Sequence, residues 1–325
     1  MALLREWGLT LGKWVGRPGA RLIEDSGDPD APRVREAAEA ADWNTVREVL
    51  EARPESEDRT ALLWAVGETQ GVERWIADVI EAEPGAALPR LVAGIRHITW
   101  GWEARTSARA EHVSREQFDT FHARLRTAED RLYEVAEREP HWTSPWYALQ
   151  LTGRGLQVGQ STARRRFEAT VRRDPHHLGA HQQQLQQVCD KWGGSHEEMH
   201  AFARTSAFEA PGGTALGQLV AVAHIEEWLS LDDREQQSYP RRREVVESLR
   251  AAADHSFRHP DFVRRDNRLQ VANSFAMAFA LAGDREYARA AFQATDGLVT
   301  SFPWTYLDAS SPLSAYRAQH AVAGR

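Results

Sequence analysis

An apolar period of 3.6 residues, running with few breaks from Arg33 to Thr295, limits this chain more than any other feature. Apolar residues recur at i, i+3, i+4 and i+7, which places them on one face of a helix. The period predicts helices over 33–41, 43–53, 58–67, 71–82, 87–104, 114–138 and 143–157. It continues over 160–173, 177–190, 196–209, 214–230, 240–257, 266–281 and 284–295. No stretch alternates convincingly with period 2, so strands are expected to be absent or trivial. Pro140, Pro175 and Pro211 stand 35 and 36 residues apart, each between two helical runs. Proline suits the first turn of a helix, where its missing N–H has no partner to lose. A unit of this length is that of a helix–turn–helix solenoid. The expected fold is all-α, built from stacked antiparallel helical hairpins.

Two windows give the unit a closer description. Ala163, Phe167 and Pro175 stand at offsets 0, +4 and +12, and Gly283, Ala288 and Phe292 at offsets 0, +5 and +9. These spacings resemble the tetratricopeptide repeat. The resemblance implies a glycine turn, an alanine at a close helix contact and an aromatic ring between hairpins, hence a tetratricopeptide-like α-solenoid. The first helix of each pair departs from the pattern. Arg154 sits where a tyrosine is usual, and Thr170 replaces a late alanine. The window 180–211 keeps only the Gly193–Gly194 turn and Pro211. A narrower resemblance runs through Cys189, Trp192, Ser195, His196, Glu197 and Met199 to Phe202 and Arg204, and again through Ala223, His224, Glu227 and Trp228. These stretches are similar to a group of uncharacterised actinobacterial proteins with tetratricopeptide-like helices, a group that implies architecture and no activity.

Composition narrows the function classes. The net charge is −7, whereas nucleic-acid binding calls for a basic balance or stripe to neutralise phosphates. Arg164–Arg166 and Arg241–Arg243 read as solvated helix faces. The single cysteine, Cys189, permits no intramolecular disulfide and fits a reducing cytoplasm; apolar Leu185 and Val188 nearby make it a buried structural thiol. No apolar run is long enough to span a membrane. Leu3, Leu4, Trp7, Leu11, Trp14 and Val15 make residues 1–16 an amphipathic segment rather than a signal peptide. Residues 17–32, rich in Pro, Gly and acids, read as a linker. The expected organisation is therefore a segment and linker over 1–32, a helical-repeat domain over 33–310 and a tail over 311–325.

The sharpest local motif is His196-Glu197-Glu198-Met199-His200, which matches H-E-x-x-H. On a helix both imidazoles share a face and can hold zinc, with Glu197 as general base on a bound water. A third ligand would come from His224 or Glu227. Against this, Ser195 followed by Glu198 reads as a capping box, which puts His196 on the first turn of the helix. Two helices joined by a short turn run antiparallel, so His196 and Glu197 are expected to meet His224 and Glu227 at one hairpin end, with His200 one turn further away. Trp192 and Trp228 flank the same region, among 12 tryptophans in the chain. A wider histidine group takes in His176, His177 and His181. There is no G-x-x-x-x-G-K-[ST] loop and no G-x-G-x-x-G after a strand. The expected function is a non-catalytic binding or scaffold module that holds a protein or peptide partner on a concave helical surface. The binding residues are His196, Glu197, His224, Glu227, Trp192 and Trp228, with no cofactor. The alternative is a zinc hydrolase using Glu197 with His196, His200 and Glu227.

Overall fold

A computed structural model describes residues 19–23, 27–105, 113–263 and 267–324, and among them the chain is almost wholly helical. The expected segment 1–16 lies outside these residues. The helices are α1 (Ala31–Glu39), α2 (Trp43–Glu51), α3 (Glu57–Glu68), α4 (Val72–Ala82), α5 (Leu88–Arg105), α6 (Arg115–Arg138), α7 (Ser144–Gly155) and α8 (Gln160–Val171). They continue with α9 (Leu178–Gln187), α10 (His196–Glu209), α11 (Gln218–Ser230), α12 (Asp233–Ser238), α13 (Arg243–His255), α14 (Arg268–Ala282), α15 (Arg285–Thr295), α16 (Ser301–Trp304) and α17 (Pro312–Ala323). Every helix read from the apolar period is present. No helix among the described residues is long and apolar enough to cross a membrane.

The chain divides into two units. One is Gly27–Gln184; the other joins residues 19–23 to Leu185–Arg325. In the first unit the centre is the pair α5–α6, with α3, α4 and α7 packed on it. Phe121, Leu125, Ala128, Leu132 and Val135 form the buried stripe of α6. Gly94 of α5 receives Leu132 and Gly155 of α7 receives the Phe121–Leu125 pair, where a Cβ would crowd them. Arg96, 1% exposed, sits inside this packing and is neutralised by Glu73 (2.7 Å) and Glu103 (2.7 Å). A buried guanidinium needs such partners, since an unpaired charge in the interior costs several kcal/mol.

The same unit satisfies helix starts from a distance. The first N–H groups of a helix have no partner inside it. At α7 they go to Glu55, whose Oε1 accepts from the amides of Thr143 (3.0 Å) and Ser144 (2.7 Å). At α9 they go to Glu57, which accepts from the amides of Leu178 (3.2 Å) and Gly179 (2.7 Å). Ser144 and Gly179 are 35 residues apart, the same spacing as Pro140 and Pro175.

In the second unit α11 and α14 are buried on nearly every side. α14 packs against α11, α13, α15, α16 and α17. Gly283, with φ of 72°, ends α14 in the left-handed conformation that glycine adopts most readily. Asp284 then caps α15 by accepting the Tyr287 amide. Phe292 of α15 is 3% exposed, against Trp304 (5.9 Å between ring centroids) and Tyr316 (5.1 Å). The stretch read as a tail thus contains α17, held by its buried Tyr316. Part of the stretch read as a linker forms β1 (Arg21–Leu22), paired in parallel with β2 (Leu298–Val299) in the register Arg21↔Leu298.

One packing expectation fails. Ala163, Ala288 and Phe292 are buried, but Phe167 is only half-buried, at the edge of the His181 ring. Arg166 takes the inward place and is 4% exposed, so the run 164–166 is not a uniformly solvated face. Its guanidinium meets the Leu149 carbonyl (2.7 Å), Thr152 Oγ1 (3.1 Å), Glu129 (2.7 Å) and the Tyr133 hydroxyl (3.1 Å). Arg241–Arg243 are exposed as read. In chemical denaturation, Phe292→Ala is expected to cost about 3–5 kcal/mol, as for other buried aromatics. Phe167→Ala should cost clearly less, and equal losses would contradict the packing described.

Candidate functional site

The candidate site lies in the second unit, where α10 and α11 form an antiparallel pair and α12 and α13 close one side. α10 starts at Ser195, whose hydroxyl accepts the Glu198 amide at 3.1 Å. Only half of the expected capping box forms. The Ser195 amide donates to the Val188 carbonyl instead (3.1 Å), so Glu198 has no amide to receive there.

Across the pair, His200 Nε2 donates to Glu227 Oε2 at 2.6 Å. The same carboxylate oxygen accepts from the Tyr239 hydroxyl at 2.7 Å. Tyr239 in turn meets His224 Nδ1 at 2.8 Å, and His224 Nε2 meets Ser248 Oγ at 3.1 Å. The His200 and His224 rings lie 4.7 Å apart between centroids. The antiparallel reading is thus right in direction and off by one turn in register: His200, not His196, faces Glu227. His196 pairs instead with Ser230 Oγ (3.2 Å), and Glu197 is exposed on the first turn. Trp228 is half-buried and donates its indole N–H to the Gln236 carbonyl (3.0 Å); Trp192, also half-buried, ends a short 3₁₀ turn before α10. Of the residues marked from sequence, His200, His224 and Glu227 come together, and His196, Glu197 and Trp192 stand outside the cluster.

Tyr239 and Ser248 complete the cluster and were not marked from sequence. They follow His224 by 15 and 24 residues, and neither spacing carries a motif. Tyr239 is brought in by the short helix α12, which the apolar period does not reveal.

Burial sets the protonation states. It drives the pKa of His224 down to about 3, and the neighbouring His200 ring pushes the same way. Burial and the bond to Glu227 push the Tyr239 phenol upward. At neutral pH His224 is therefore a neutral imidazole and Tyr239 a protonated donor. Beside the His224 ring, Ile225, Trp228, Pro240, Val245 and Leu249 line a small apolar cleft.

These contacts do not fit the zinc reading. Zinc needs ligands converging near 2.0–2.1 Å for nitrogen, with a position left for water. Here Nε2 of His200 is engaged by Glu227 and Nε2 of His196 by Ser230, and Glu197 lies outside the cluster. Among the described residues no three His, Cys, Asp or Glu side chains are grouped to hold a metal. The remaining histidines of interest lie in the first unit. His177 Nδ1 accepts the Ala180 amide (3.1 Å), and the His181 ring bonds the His177 carbonyl (3.0 Å), so both act within the start of α9. Cys189 is buried, its thiol on the Leu185 carbonyl and beside Met199.

No protein family matches the chain, and no curated protein matches it either. The likeness to tetratricopeptide repeats and to actinobacterial proteins stands on the quoted residues alone.

Two expectations follow from the cluster. The folded pKa of His224 lies below its unfolded value of 6.5, so the unfolded chain binds a proton the folded chain refuses. Stability is expected to be intact above about pH 6.5 and to fall as pH drops from there toward about 3. His224→Gln should flatten that part of a stability–pH curve measured by urea denaturation; an unchanged slope would contradict the assignment. Tyr239→Phe leaves a buried imidazole N–H without its acceptor and takes one of two donors from Glu227 Oε2. It is expected to cost about 1–3 kcal/mol, more than Ser248→Ala, as measured by the same method.

Proposed function

We propose that the chain is a binding or scaffold module whose helical hairpins hold a protein or peptide partner, with no catalysis required of it. On this reading α7 and α8 form one tetratricopeptide-like hairpin in the first unit, and α10 and α11 form another in the second. The observation that carries the reading is the matched pair of helix starts. Thr143–Ser144 and Leu178–Gly179, 35 residues apart, each receive a glutamate from the start of α3. Equivalent ends held in equivalent ways are what successive units of one array require. Arrays of this kind bind through extended surfaces rather than single pockets. A second support is that His200, Glu227, Tyr239, His224 and Ser248 are bonded in one chain, which ties α10, α11 and α13 together.

The reading is tested by selecting peptides from a display library on the immobilised full chain and titrating those enriched by calorimetry, with metal analysis of the same preparation. Saturable binding with a negative heat-capacity change, the mark of apolar burial, is the expected result, together with metal well below one equivalent. Stoichiometric zinc, lost along with a hydrolytic activity in both Glu197→Gln and His200→Ala, would replace this reading with the hydrolase.

A further inference from the structure

Ser248 sits in the middle of α13, and its hydroxyl behaves differently from others in helices of this protein. Thr60, Thr69, Thr170 and Ser274 each turn back to the carbonyl four residues earlier, the ordinary refuge of a hydroxyl inside a helix. Ser248 instead directs Oγ to His224 Nε2 at 3.1 Å. The sense of that bond follows from the rest of the chain. Tyr239 gives its hydroxyl proton to Glu227, so the Tyr239 oxygen accepts from His224 Nδ1–H. A neutral imidazole has one N–H, which leaves a lone pair on Nε2. Ser248 must therefore donate to it. The order Ser248→His224→Tyr239→Glu227 is that of a nucleophile, a base and the groups that orient the base, with a tyrosine between imidazole and carboxylate.

We propose that Ser248 is a nucleophile, activated by His224, that takes an acyl group from a small ester with an apolar acyl portion. Ser248 Oγ forms a bond to the ester carbonyl carbon while its proton passes to His224 Nε2. The ester C–O bond breaks, and the leaving alkoxide takes that proton from His224. A water molecule then attacks the acyl-serine, giving a proton to His224, which returns it to Ser248 Oγ as the carboxylic acid departs. Burial opposes the His224 cation, which forms only transiently; while it lasts, its Nδ1–H points to Tyr239, which connects it to the Glu227 carboxylate. Val245 and Leu249 lie three residues before and one residue after Ser248 on α13. They line the cleft beside the imidazole together with Ile225 and Trp228. The acyl portion is therefore expected to be short and apolar. This activity is separate from partner binding and does not depend on it.

The test uses the full chain and a biotinylated fluorophosphonate probe. Trypsin releases residues 244–250, in which Ser248 is the only hydroxyl side chain. The expected result is a probe adduct on that peptide in the parent protein and none in Ser248→Ala. His224→Gln should slow labelling by at least about 100-fold, the scale of a general base, with the helical circular dichroism spectrum retained. A folded parent protein unlabelled at Ser248, or His224→Gln labelled at the parent rate, would overturn the proposal. Should His224→Gln fail to fold, competition decides it. Saturating p-nitrophenyl acetate present during labelling slows probe uptake at Ser248 if that serine is acylated, and an unchanged labelling rate refutes acylation.

Discussion

Unpaired amides at helix starts are the constraint on which the first unit depends. A chain made almost wholly of helices creates many such ends, and local caps serve several of them: Asp42 for α2, Ser114 with Gln117 for α6. α7 has no local side-chain cap. Glu55 supplies one from 89 residues earlier in the chain, accepting from the Ser144 amide and also from its hydroxyl at 2.5 Å. Hydrogen bonds to a charged group contribute about 1.5–3 kcal/mol each, and the helix dipole adds to the attraction. Because Glu55 and Glu57 are only two residues apart, they fix the start of α3 to α7 and α9 together. The rest of α3 follows. Thr60 meets Ser144 at 3.2 Å, and Trp64 meets the Tyr147 ring edge-on at 6.3 Å.

A different demand shapes the second unit. α11 and α14 are buried on several faces, so a polar side chain on them needs a partner inside the protein. Asn273 of α14 accepts the Trp304 indole N–H at 2.7 Å. Glu226 of α11 takes Gln186 (2.8 Å), Lys191 (2.9 Å) and the Tyr306 hydroxyl (2.8 Å). His224 and Glu227 obey the same rule through Tyr239, Ser248 and His200. Glu226 and Glu227 are neighbours in sequence with unlike surroundings: one is closed off by three donors, the other joins a chain of donors that ends on a hydroxyl.

Most helices were legible in the sequence because burial on one side leaves a 3.6-residue trace, clear in α2, α4, α13 and α15; α11 and α14, buried on nearly every side, show instead as long apolar runs. The 35-residue spacing of Pro140 and Pro175 was legible as well and marks the starts of α7 and α9. What escaped was decided by contacts distant in sequence. α12 and α16 are too short to show a period. α17 is held by Tyr316 against Phe292 and Trp304, which a composition reading of residues 311–325 does not see. Phe167 and Arg166 exchange the places that hydrophobicity assigns them, because Glu129, Thr152 and Tyr133 make an inward arginine the better-paired choice. At the candidate site the helix pair and its direction were readable. The register was not, since one turn separates His196 from His200 and only packing chooses between them.

The capping glutamates also close one side of α7. Here the starts of α7 and α9 already hold Glu55 and Glu57, and Tyr147 of α7 lies between Trp64 of α3 and the His177 ring, 4.7 Å from the latter. That part of α7 and α9 is occupied by the chain's own helix, in the manner of a bound segment. Elsewhere on α6, Tyr133 is 39% exposed, set edge-on against Trp146 and bonded to the guanidinium of Arg166, itself 4% exposed. The surroundings of α7 thus differ around its axis: charge-assisted bonds from the start of α3 close its first turn, while its neighbour α6 keeps a tyrosine ring at the surface.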